Sequence, residues 1–385
     1  MNHRFFAKFS GSKKKSLQEE ISLKIAVFGQ KQAYTRSGGI EVVVTELYKR
    51  IGQKHFVTVY NRCELDKPRH KYPWTAPMRF RNSPTLSNSK LNAAVASLFS
   101  SIQIAIGHYD VAHVHAEGPA VFLPIIKASG ARIVGTVHGL DWARAKWGKL
   151  ASWYIKTGEK MMVRYADEII VLSQDMQDYF KNEYGRKTIL IENGVTMKTD
   201  LNTDEIEKYG LTPGGYILYV GRIVPEKRLD LLINSYKLSG VKKKLVIVGQ
   251  IPDNPDPTLQ FAMEDPNIIM TGFLEGRALR QLFTHSGIYV LPSDLEGMSI
   301  SLLEGMANGL TIVTSDIPEN KKTMNGFGYT FKAGSMKELT EKLRELDAQP
   351  YHRNEEMIRY VMERHNWDDV ARKTMQVLEG TVHAE

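Results

Sequence analysis

Residues 287–309, "GIYVLPSDLEGMSISLLEGMANG", decide the fold. "IYVLPS" (288–293) is a short apolar run rich in β-branched and aromatic residues, the pattern of a strand buried on both faces. After Gly297 and two serines the apolar positions take helical spacing. A strand therefore empties through a loop into a helix, the repeating unit of a doubly wound α/β sheet. In such sheets ligands bind beyond the carboxyl ends of the strands. Two carboxylates, Glu296 and Glu304, stand at this place eight positions apart.

The same alternation runs through the chain. In the first half the predicted strands are "KIAVFGQ", "HFVTVYNR", "VAHVHAE", "RIVGTVHG", "EIIVLSQ" and "TILIENG". In the second they are "YILYVGR", "KKLVIVG", "NIIMTG", "IYVLPS" and "TIVTSD". Strands alternating with longer helical patterns imply parallel sheets, and 385 residues suffice for two such domains. The expected division is a basic tail at 1–23, a first domain at 24–195, a second at 196–365, and a last helical segment at 366–385. "LNTDEIEKYGLTPGG" (201–215) reads as the connection.

Composition narrows the class. No run of about 18 apolar residues is present, so no transmembrane helix is expected. The N-terminus lacks the apolar core of a secretory signal. The single cysteine, Cys63, excludes disulfides within the chain and fits a reducing, cytoplasmic setting. Residues 1–195 carry 29 lysines and arginines against 16 acidic residues; residues 196–385 carry 22 against 27. The basic surplus belongs to the first half alone. No nucleic-acid motif accompanies it, which favours an anionic membrane surface over nucleic acid; an ordinary solvated surface explains the same charges. "LNAAVASLFSSIQIAIGHY" (91–109) reads as a buried helix in preference to an apolar membrane face.

Strand ends supply the candidate residues. Gly38 and Gly39 follow the first strand and allow close backbone approach before a helix N-terminus, where free N–H groups meet anions; an ordinary strand-to-helix turn also uses such a pair. His113 and His115 share one side of their strand. A metal pair is conceivable there, but no matching carboxylate or cysteine spacing supports one. His138 ends the next strand and is favoured for a site role over a structural one. In "YVGRIVPEKRLD", Gly221 turns the chain. Arg222 can then fork onto a phosphate, with Lys227 as a point charge beside it.

The glutamates join this scheme. The helix after Gly297 offers the amides of Met298, Ser299 and Ile300 to a phosphate. Glu296 lies on one side of that point and Glu304 on the other. A carboxylate accepts hydrogen bonds from two neighbouring hydroxyls, so the pair suits a sugar at one end of a diphosphate and a ribose at the other. The implied ligand is a sugar nucleotide.

These residues resemble the signature of glycosyltransferase family four on a GT-B fold, two Rossmann-like domains facing across a cleft. Glu296-Gly-Met-Ser-Ile-Ser-Leu-Leu-Glu304 is similar to the family's E-x7-E motif, and "YVGRIVPEKRLDLLI" to its phosphate strand and loop. Gly38-Gly39 resembles the N-terminal glycine loop, and His138 the histidine beside the donor sugar. "VHAEGPAVFLP" and "GTVHGLDWARAKWGK" look like a bacterial cell-surface polysaccharide subgroup that includes rhamnosyltransferases. The resemblance implies transfer of a sugar from a nucleotide donor, with dTDP-rhamnose or a UDP-hexose favoured. Transfer retains anomeric configuration, uses no metal or other cofactor, and needs no covalent nucleophile. Glu296, Arg222, Lys227 and His138 would serve the reacting end, and Glu304 the ribose. The implied acceptor is a glycan or a lipid-diphosphate-linked sugar at the inner face of the plasma membrane. A last helix crossing back to the first domain is part of the same expectation. A sugar-nucleotide epimerase of similar architecture and a non-catalytic sugar-nucleotide binder are the rivals.

Overall fold

The computed structural model describes residues 22–64, 76–85, 91–143 and 148–384. The predicted basic tail lies almost wholly outside them, as do residues 144–147 of "GLDWARAKWG". Two parallel sheets organise the chain. The first holds β1 (Lys24–Phe28), β2 (Phe56–Glu64), β3 (Arg79–Thr85), β4 (Val111–His115), β5 (Arg132–Val137), β6 (Glu168–Val171) and β7 (Ile189–Leu190). Their spatial order is β3-β2-β1-β4-β5-β6-β7. The second holds β8 (Tyr216–Val220), β9 (Lys244–Val248), β10 (Ile268–Gly272), β11 (Ile288–Leu291), β12 (Thr311–Ser315) and β13 (Tyr329–Phe331), in the order β10-β9-β8-β11-β12-β13. Each is a doubly wound Rossmann-like sheet, and together they make the GT-B architecture.

The eleven predicted strands are all present, because their apolar runs are buried between helices on both faces; β4, β6 and β11 are buried at every position. Two strands escape the sequence pattern. β3, "RFRNSPT", is a polar edge strand carrying Pro84, the kind of run that proline and exposure disguise. β13 is three residues long, too short for a period.

The order in which strands are added reverses between β1 and β4 in the first sheet and between β8 and β11 in the second. The crevice of a doubly wound sheet opens at such a switch point. Gly38-Gly39 follow β1, Gly221 and Arg222 follow β8, and Glu296 follows β11, so fold topology alone brings these segments to two facing crevices.

The C-terminal helix Trp367–Glu379 packs on the helix Gly39–Ile51. Trp367, Val370, Ala371, Val377 and Leu378 complete the core beside β1 and β4. Val195 and Asn366, at the two crossings between the domains, form an isolated parallel bridge, and the Val195 amide donates to the His365 carbonyl at 2.8 Å.

The helix Asn92–Ala105 packs into the first domain as predicted: Ala96 and Ile104 are buried, and only Phe99 and Ile102 within its span are exposed. Its serines 97, 100 and 101 face inward, with Ser83 and Ser100 sharing a 2.6 Å hydrogen bond. Leu91, Phe99, Ile102 and Ile106 face solvent, Ile106 at 71% exposure. Spacings of eight, three and four residues place them on one stripe. The apolar-rich composition hid this polarity, because the small inward serines fit tightly against β3.

Candidate functional site

The helix that follows Glu296 spans Ile300–Ala307, with Ser299 as its N-cap; the Ser299 hydroxyl accepts from the Leu302 amide at 3.4 Å. Both glutamates are engaged. Lys227 lies in the short turn Pro225–Lys227 and reaches Glu296 at 2.5 Å, with the two side chains only 12% and 8% exposed. Glu304, one turn into the helix, is held by Arg36 from the loop ahead of Gly38 in the other domain. Arg222 is exposed and makes no ion pair among the described residues, while its carbonyl accepts from the Tyr219 hydroxyl at 3.0 Å. Gly221 packs its backbone against Gly249, where a side chain would lie 2.2 Å from the Gly221 carbonyl oxygen.

The first domain grips the motif loop at several further points. The His138 carbonyl oxygen comes so close to Gly297 that a β-carbon there would sit 1.8 Å from it. This is why glycine occupies the position after Glu296. Asn193 donates its amide nitrogen Nδ2 to the Met298 carbonyl at 3.1 Å, and its backbone N–H points at the Met298 thioether. Gly39 faces Ile300, whose Cδ1 would be 3.9 Å from an added β-carbon. Gly38 is extended, and the glycine requirement comes from Glu41: a side chain would collide with the carboxylate that accepts the Lys31 amide. These contacts bring His138 to Gly297, Gly39 to Ile300 and Lys227 to Glu296, while Gly38 packs on Glu41 of its own domain.

His138 is the outermost of three histidines. Its Nε2 lies 3.0 Å from His115 Nδ1 with the rings stacked, and the rings of His115 and His113 lie 4.2 Å apart, confirming their shared face. His113 is saturated by the Tyr48 hydroxyl at 2.5 Å and Thr136 at 2.7 Å. Burial, then the nearby His138, pushes His113 down to about 3. Burial, then its two histidine neighbours, holds His115 well below its ordinary value. These two form a neutral support under His138. Among the described residues no group of three His, Cys, Asp or Glu side chains could hold a metal ion.

Behind His138 the loop is tied down by buried acids. Glu117 accepts from the Asp141 amide at 3.2 Å; burial and then Asp141 push its carboxyl well above the usual range. Glu159, fully buried, accepts from Trp142 Nε1 at 2.9 Å, from Lys156 and from the Tyr179 and Tyr184 hydroxyls. Sequence reasoning missed Glu159, Asn193 and Arg36. For Arg36 a signal existed: it stands two residues before a glycine pair at a switch-point strand.

Arg36 and Glu304 also line a cavity of about 130 Å³ between the domains, with Lys198, Arg280, Asn308 and Trp367 among its walls. Two buried polar atoms of its lining residues, Asn308 Oδ1 and Thr196 Oγ1, have no hydrogen-bond partner.

Two family models divide the chain between them. Residues 37–198 match the Glycosyltransferase Family 4 model, and residues 202–364 match Glycosyl transferases group 1. The chain belongs to the GT-B glycosyltransferases. Among curated relatives, this GT-B chain is 25% identical over 232 residues to an uncharacterized glycosyltransferase of Bacillus subtilis, covering 56% of the chain and 62% of that protein. It is 24% identical over 234 residues to the capsular polysaccharide biosynthesis glycosyltransferase CapM of Staphylococcus aureus, covering 55% and 60%. The matched region thus spans about three fifths of these relatives. Among solved structures, Anabaena HepE in complex with UDP-glucose superposes with a TM-score of 0.73 at 13% identity, over 93% of this chain and all of that one. At that identity the likeness shows the fold.

Proposed function

We propose that this GT-B chain is a retaining, metal-independent glycosyltransferase that moves a sugar from a nucleotide donor to a glycan or lipid-linked sugar acceptor in cell-surface polysaccharide synthesis. The observation that carries the reading is the motif loop. Glu296 and Glu304 flank one helix N-terminus, and cations and backbone from both domains converge on it. Donor diphosphate lies against the amides of Met298, Ser299 and Ile300, beside the turn at Gly221. There Arg222 and Lys227 stabilise charge developing on the departing oxygen. Glu296 orients the donor sugar, and Glu304 takes the ribose. His138 meets the sugar through its ring or its carbonyl. Gly38 and Gly39 let the first domain's backbone close on the diphosphate. The sugar's anomeric carbon loses the diphosphate oxygen and gains the acceptor hydroxyl on the same face, whose proton leaves with the diphosphate.

A UDP-hexose is the favoured donor, with dTDP-rhamnose next. The HepE fold is solved with UDP-glucose, and CapM supports the capsular setting. The acceptor reaches the cleft at an anionic inner membrane surface. The outward stripe of the helix Asn92–Ala105 supports this, added to the basic surplus of the first domain.

Thermal-shift screening against UDP-, GDP-, ADP- and dTDP-sugars identifies the base, since a tight ligand raises Tm by mass action. Nucleotide release from that donor, with and without oligosaccharide or lipid-linked acceptors, tests the reaction. Acceptor-dependent release is expected. Donor binding without release under any acceptor condition would leave a binder or an epimerase instead.

A further inference from the structure

The pairing of Arg36 with Glu304 joins a first-domain loop to the carboxylate assigned to the donor ribose. We propose that Arg36 gates the donor: its guanidinium competes with the ribose for Glu304 and, once displaced, transfers to the donor diphosphate. This rests on the reading of Glu304 given above.

The Arg36 loop lies beside the motif helix. Gly39 stands against Ile300 at the start of the motif helix, so the loop is anchored over the helix N-terminus. Thr35 fixes its backbone through hydrogen bonds to the Gln32 carbonyl at 2.8 Å and the Ser37 hydroxyl at 3.0 Å. Glu304 lies four residues below Ile300, about 6 Å along the helix axis, within the swing of one arginine side chain. Arg36 is the one ion-pair partner of Glu304 among the described residues, and its side chain is 34% exposed. Ribose hydroxyls are neutral, so a nucleoside taking Glu304 breaks an ion pair and leaves the guanidinium uncompensated. A nucleoside diphosphate brings the anion onto which that guanidinium forks. Arg36 thus penalises nucleosides and favours intact diphosphates, and it acts on the donor as a positioning residue.

The test compares dissociation constants of uridine and UDP, or of the nucleoside and diphosphate whose base leads the thermal-shift panel, for wild type, Arg36→Gln, Arg36→Lys and Glu304→Ala. A partly exposed ion pair accounts for roughly two- to five-fold in affinity. Arg36→Gln is therefore expected to bind the nucleoside about that much more tightly. The advantage of diphosphate over nucleoside should shrink by about ten-fold or more, and Arg36→Lys should keep most of it. Wild-type affinity for the neutral nucleoside should rise as salt screens the pair, from about 50 to 300 mM, and the glutamine variant should lose that rise. If Arg36→Gln leaves nucleoside affinity unchanged or weaker while Glu304→Ala abolishes it, the competition is wrong and the ribose assignment stands. If Glu304→Ala leaves nucleoside affinity intact, the ribose assignment fails and the gate fails with it.

Discussion

At the scale of single residues, Gly297 carries a sharper constraint than either glutamate. Its neighbour across the cleft is a backbone carbonyl, that of His138, which cannot rotate out of the way. Gly297→Ala must therefore push the motif loop off the first domain. Since displacements near 1 Å can cost 10²-fold in rate, nucleotide release is expected to fall by about that factor while Tm changes little. Lys227→Met has a different signature. It strands Glu296 nearly buried without its cation, which in comparable buried pairs costs about 3 kcal/mol. Urea unfolding should show that loss, and adding Glu296→Gln should recover part of it. The histidine stack predicts acid sensitivity. His113 stays neutral in the fold down to about pH 3, whereas the unfolded chain takes up that proton near 6.5. The unfolded state binds more protons between those values, so stability falls as pH drops through that window, by up to about 1.4 kcal/mol per pH unit for each such histidine. Replacing His113 by Asn should flatten the slope of urea stability between pH 7 and 5; an unchanged slope would remove His113 from the account.

At the scale of elements, legibility followed burial. Strands such as β8 and β11 are apolar at nearly every position because helices cover both faces, so their residues announce them. β3 lies at an edge and β13 is too brief, so neither carries a period. The motif helix was readable because glycine, serine and two acids in a fixed spacing are rare together. Arg36 was marked only by its place two residues before a glycine pair, because a loop arginine otherwise looks the same whether it meets solvent or a carboxylate 268 positions away. Glu159 was hidden for the same reason: its four donors come from a loop and two helices. The helix Asn92–Ala105 was legible as a packed helix, but composition alone does not say which of its faces turns inward. Its outward stripe makes a direct prediction. Phe99→Ser with Ile102→Ser should weaken binding to anionic vesicles by about ten-fold, given the area each side chain would bury. Nucleotide affinity should hold, and Tm should fall only modestly, since Phe99 and Ile102 are 43% and 42% exposed. Undiminished vesicle binding would assign the stripe to something other than lipid.

At the scale of the whole molecule, the two sheets are tied together twice, by the paired crossings at Val195 and Asn366 and by side chains across the cleft, including Asp175 with Lys322 at 2.5 Å. On the proposed reading, closure over the donor would turn about these adjacent crossings, with the cleft contacts opposing further rotation. The helix Trp367–Glu379 has a consequence for how the protein is made. It supplies part of the core beneath the first sheet, yet it leaves the ribosome only after the whole second domain. At translation rates of about 5–20 residues per second, the first sheet waits roughly 10–30 s, while the whole second domain is synthesised, before Trp367 arrives to cover it. Over that interval the seat of Trp367 is open apolar surface. A nascent chain stalled before residue 366 should therefore be held by chaperones and cut readily within its first half, and emergence of residues 366–385 should end both.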